Sequence, residues 1–99
     1  MIVGIMVVRL RLPEAGSLKD KRHTVKSLLN RAKSRYGVAV SEVDEHDTWQ
    51  RTKLGFSTVA GTEFQARKVL NALENDILTH HSAELIEVRR KFVGMEEDR

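Results

Sequence analysis

The chain contains no cysteine, one proline, one tryptophan, one tyrosine and three phenylalanines in 99 residues. Without thiols there is no disulfide framework, no thiolate nucleophile and no thiolate metal site, so a packed core has to supply the stability. Long apolar runs are missing too. The longest, Ile5 to Val8, is cut off by Arg9 and Arg11, far short of the roughly 18 residues of a membrane span. Met1-Ile2-Val3 enters that run with no basic leader before it and no small-residue cleavage site after it, which predicts a cytoplasmic protein without membrane attachment. No glycine-rich phosphate loop occurs. Ser17, His23 and Asp20 could be drawn as a triad, but no strained nucleophile elbow frames them. The run Asp44-Glu45-His46-Asp47 lacks both calcium-loop spacing and a second histidine. No catalytic residue, metal or cofactor is therefore expected, and the chain reads as a binding protein rather than an enzyme.

What is present is charge, unevenly spread. The totals are 17 Lys+Arg and 14 Asp+Glu, a net charge of +3. Residues 1–37 hold nine of the cations and two acids, whereas residues 38–99 hold eight cations and twelve acids. Such polarity attracts polyanions to one end of a molecule whatever its mean charge. The length allows one core, so residues 1–93 are expected to form a single domain and 94–99 a charged, fraying tail.

Hydrophobic periodicity supplies the element order. Residues 2–12 alternate, with Met6, Val8, Leu10 and Leu12 on one face and Val3, Ile5, Val7, Arg9 and Arg11 on the other, a strand that Pro13 stops. Ser17 followed by Asp20 resembles a capping box, and Val25, Leu28, Leu29, Ala32 and Tyr36 recur at helical spacing up to Gly37. Val38–Val43 and Gln50–Ala60 read as a strand pair around an acidic connection. Thr62 and Gln65 open a second helix with Ala66, Val69, Leu70, Leu73 and Ile77 inward, ending near His80-His81, and Ala83–Phe92 alternates as the last strand. The order βαββαβ predicts an α+β, ferredoxin-like fold: a four-stranded antiparallel sheet, strands one and three central, both helices on one face.

The first helix carries the sharpest functional signal. At about 100° per residue, Lys19, Arg22, Lys26 and Lys33 fall in one stripe roughly 60° wide, with Arg31 and Arg35 on the opposite flank. An ordinary solvated helix mixes signs for i,i+4 pairing, yet only Asp20 interrupts this segment. The pattern suits successive phosphates of a nucleic acid. Arg9 and Arg11 are expected to assist if the loop Pro13 to Gly16 folds compactly. The open sheet face, with Val3, Ile5, Val7, Ala39, Val43, Val59 and Leu85, reads as apolar and suited to a second copy or another protein. It offers no aromatic on its central strands for stacking bases. Trp49 is either a lid on the end of the core or an exposed contact residue beside Arg51.

Met1-Ile2-Val3-Gly4, Leu12-Pro13-Glu14 before Ser17-Leu18-Lys19-Asp20-Lys21-Arg22, Val25-Lys26-Ser27-Leu28-Leu29, and Asp47-Thr48-Trp49-Gln50-Arg51 before Leu54-Gly55 together resemble the bacterial YlxP-like family, a domain of unknown function. The resemblance runs from residue 1 to about 90. It implies a ferredoxin-like fold and supplies no activity or catalytic residue. In some bacteria the family gene lies among genes for transcription termination, translation initiation and small-subunit maturation, which implies work around ribosomal RNA. The resulting expectation is docking on structured RNA or a ribosomal particle through Lys19, Arg22, Lys26 and Lys33, with homodimerisation through the open face. Alternatives are a small-molecule-binding regulatory dimer, with its ligand at the loop holding Glu14 and Gly16, and a protein-binding adaptor using the open face and Trp49.

Overall fold

A computed structural model describes residues 1–96. The elements are β1 (Ile2–Arg11), α1 (Leu18–Tyr36), β2 (Ala39–Asp44), β3 (Arg51–Ala60), α2 (Glu63–His80) and β4 (Glu84–Gly94). They form a four-stranded antiparallel sheet in the order β2-β3-β1-β4. This is the ferredoxin-like arrangement, with β1 and β3 central and both helices on one face.

Alternation along β1 and β3 puts Met6, Val8, Leu10, Leu54 and Phe56 against the helices, where Val25, Leu28, Ala32, Leu70, Leu73 and Ile77 close the core. Each such leucine contributes about 2–3 kcal/mol through removal from water. Gly4 lets α2 lie close to the central strand. A Cβ there would stand 3.2 Å from Leu70 Cδ1 and 3.3 Å from Ala66 Cβ, tighter than packed carbons normally approach.

Local chemistry sets the boundaries. Ser17 Oγ accepts the Asp20 N–H at 3.1 Å, and the Asp20 carboxylate accepts the Gly16 N–H at 3.1 Å, which fixes the start of α1. Gly37 ends it at φ 63°, its N–H donating to the Lys33 carbonyl at 3.1 Å. Thr62 caps α2 by accepting the Gln65 N–H at 3.2 Å. Past Pro13 the chain turns with the Ala15 N–H on the Leu12 carbonyl.

Two register shifts separate the sheet from a regular one. One in β2 lies between Glu42 and Asp44, and one in β4 pairs Leu10 with Leu85 but Arg9 with Glu87, leaving Ile86 without an opposite residue. The β4 bulge corrects the expected open-face position of Leu85: its partner Leu10 is a core residue, so Leu85 sits in register with the helix side. The last strand also runs further than its alternation suggested. Gly94 belongs to β4, and the Met95 N–H donates to the Met1 carbonyl at 2.9 Å, so the first residues of the expected tail are tied to the N-terminus. The rest of that tail, 97–99, lies outside the described residues.

Candidate nucleic-acid interface

Lys19, Arg22, Lys26 and Lys33 are all exposed on α1. Among the described residues, none of the four has an ion-pair or hydrogen-bond partner for its side chain. Arg22, Lys26 and Lys33 line a groove of about 350 Å³ between α1 and the edge strand β2, together with Val25, Asn30, Val40 and the carboxylate-bearing Glu42. Lys19 borders a separate cleft toward the C-terminal end of α2. The spacing seen in the sequence thus becomes a row of cations on one flank of the helix.

Arg9 and Arg11 are not brought to that row. They alternate with buried Val8 and Leu10 and therefore leave the sheet on the face away from the helices. There they are engaged by acids: Arg9 Nη2 lies 3.0 Å from Glu45 Oε1 and Nη1 4.0 Å from Glu87 Oε2, and Arg11 Nη1 lies 3.4 Å from Glu84 Oε2. The hydrogen bond and charge of Glu45 hold the Arg9 guanidinium above even its ordinary high pKa. Arg31, on the other flank of α1, is also occupied. Its Nε donates to both oxygens of buried Asp76 on α2, at 2.9 and 3.1 Å. Burial alone would raise the Asp76 pKa, but hydrogen bonds from Arg31 and Tyr36 and the charges of Arg31 and His80 hold it below the ordinary value. The same contact with Asp76, with burial, pushes the Tyr36 hydroxyl up.

Lys21 is the residue that the reading of the basic stripe passed over. It is 1% exposed, with Nζ 3.1 Å from Glu42 Oε2 and donating to the Glu45 carbonyl. Glu42 Oε2 in turn accepts the Thr52 hydroxyl at 2.7 Å. Glu45 takes φ 61°, and its Oε2 is buried without a hydrogen-bond partner. Lys21 therefore pins the end of the β2–β3 hairpin to the start of α1. The helical wheel contained the signal, since Lys21 falls between Val25 and Leu28 on the buried side of α1.

On the open sheet face, Val3, Ile5 and Val7 are half-buried, whereas Val59 is 67% exposed. Trp49 is 51% exposed and so does not close the end of the core. The surface is more basic than its valines suggested. Register places Lys53 beside Arg9, Arg51 beside Arg11, Arg89 beside Val7 and Lys91 beside Ile5.

Two solved structures share this architecture: a structural-genomics protein named YJCS, with a TM-score of 0.57 at 9% identity over 93% of this chain and 99% of that one, and a de novo designed ferredoxin-fold protein, with a TM-score of 0.57 at 14% identity over 100% and 90%. At that identity they show the fold alone. The family model described as a protein of unknown function (DUF503) matches residues 3–90. The uncharacterized protein YlxP of Bacillus subtilis (strain 168) is 36% identical over 69 residues, 70% of this chain and 75% of that protein. The chain belongs to the DUF503 family, as the L-P and S-L-K-x-K-R segments implied. No helix of the described residues is long and apolar enough to cross a membrane.

Proposed function

We propose that the protein is a non-enzymatic cytoplasmic factor that docks on structured RNA, in a ribosomal particle or its precursor, through the free flank of α1. The observation that supports this reading is that Lys19, Arg22, Lys26 and Lys33 stand together on one helix flank with no side-chain partner among the described residues, while Arg9, Arg11, Lys21, Arg31, Arg67, Arg89 and Arg90 are paired and the unpaired Arg51, Lys53, Lys68 and Lys91 lie on other elements. Unpaired cations in a row keep their charge available for phosphates, and phosphate contacts position a protein without reading sequence. Arg9 and Arg11 lie across the sheet and drop out of the contact.

Four such contacts give a slope of roughly −3 to −4 in log K against log salt concentration, with little sequence preference. Filter binding of ribosomal RNA fragments tests the reading. The Lys26→Glu, Lys33→Glu double variant is expected to bind markedly more weakly with unchanged thermal stability, and undiminished binding by that variant would remove α1 from the account.

A further inference from the structure

A second concavity adjoins the basic row and shares Lys19 with it. It is a cleft of about 630 Å³ where the N-terminal turns of α1 meet the C-terminal end of α2 and the β1–α1 loop. Leu12 and Ala15 are its buried apolar lining, and its polar wall carries Lys19, His23, Thr24, Ser27, His81 and Ser82. Its size lies within the range of small-ligand sites, as does its mixture of apolar surface with a few convergent polar groups.

The state of those groups is informative. Hydroxyls in helices commonly bond back to a carbonyl of the preceding turn, as Ser34 does to Arg31 and Thr79 to Asn75. Thr24 and Ser27 do not, and the side chains of Lys19, His23 and Ser82 also make no hydrogen bond among the described residues. Five donors, four of them exposed and Thr24 half-buried, thus line one concavity with no partner among the described residues. Burial, with help from the charges of Arg31 and His80, outweighs the pull of Asp76 and lowers the His81 pKa; the ring adds a further polar group to the wall. Two carboxylates share the cleft. Asp20 is engaged by the Gly16 N–H, whereas Glu14 is exposed on the loop with no partner among the described residues.

We infer that this cleft binds the phosphomonoester of a nucleotide, with Lys19, His23, Thr24 and Ser27 around the phosphate and Glu14 accepting from hydroxyl or amino groups of the nucleoside. An ammonium with several hydroxyl and imidazole donors matches the oxygens of a phosphate dianion. The carboxylate at the rim excludes a second phosphate and favours a donor-bearing neighbour. The ligand is either a free nucleotide or the phosphorylated end of an RNA strand. The second source rests on the proposed docking through α1, because Lys19 lies at the junction of cleft and row.

The test is a titration of the intact protein followed by backbone and imidazole NMR, with adenosine 5′-monophosphate, adenosine, and short RNAs bearing a 5′-phosphate or a 5′-hydroxyl. The nucleotide is expected to shift His23, Thr24, Ser27 and Ser82 saturably while adenosine does not. His23→Ala and Ser27→Ala are each expected to weaken it about tenfold, as loss of a hydrogen bond to a charged group does. Nucleotide binding that persists in Lys26→Glu, Lys33→Glu supports the cleft even if RNA docking through α1 fails. A preference for the 5′-phosphorylated RNA identifies the strand end as the source, and equal RNA affinities with tight nucleotide binding identify the free nucleotide. Shifts outside the cleft, or shifts unaffected by both alanine variants, would overturn the assignment.

Discussion

The two basic regions of this molecule use the same side chains to opposite ends. On the open face, Arg9, Arg11 and Arg89 are each within 4.0 Å of a glutamate that follows β2 or belongs to β4, while Arg51, Lys53 and Lys91 have no side-chain partner among the described residues. On the exposed flank of α1, Lys19, Arg22, Lys26 and Lys33 have none among the described residues, and all four lie in one row. Surface pairs contribute little stability, so the engaged arginines chiefly moderate the field of their own face. The unengaged row leaves its field directed outward. A count of cations per segment cannot separate these cases; the position of the acids decides.

The contrast is sharpest inside α1 itself, where Lys21 is a core residue and Lys26 a surface one. Replacing Lys21 with alanine leaves Glu42 and the Glu45 carbonyl without their buried partner, a loss of about 3–5 kcal/mol. That is visible as a fall in Tm of about 15 °C or more for a domain of this size. Asp76→Asn breaks the second internal pair. Arg31 is partly exposed, so the expected loss is smaller, about 1–3 kcal/mol at neutral pH. Because Asp76 has a depressed pKa in the folded chain, its contribution is fully present above the unfolded value near 3.8 and disappears as pH falls through the lower folded value. Acid titration of stability should therefore lose its lowest-pH component in the asparagine variant.

Reversing Lys26 and Lys33 should change stability by less than about 0.5 kcal/mol, while reducing the salt slope of RNA binding by about 2. The smallest effect is expected for Arg11→Ala, whose exposed pair with Glu84 is worth at most about 1 kcal/mol. RNA affinity in that variant should match the parent; a loss as large as that of the α1 variant would erase the contrast between the two regions.

Much of this was legible in the sequence because the relevant signals are local. The alternation of residues 2–12, the caps at Ser17 and Thr62 and the stop at Gly37 each depend on neighbours within a few positions. The row on α1 follows from helical spacing alone. The fate of Arg9 and Arg11 was not legible, because their partners Glu45 and Glu84 are 36 and 73 residues away. The β4 bulge that moves Leu85 to the helix side also leaves no mark in the alternation. Lys21 and the open-face cations Lys53, Arg89 and Lys91 were readable from period and parity. Their roles depend on partners in other elements, which period and parity alone do not name.

The most direct test of the central claim is cosedimentation with ribosomal subunits over a salt series, comparing the parent, the Lys26→Glu, Lys33→Glu variant and an Arg9→Glu, Arg11→Glu variant of confirmed folding. Salt-sensitive binding to one subunit is expected, lost in the helix variant and retained in the strand variant. Binding that survives the helix reversal, or that fails equally in both variants, would contradict it.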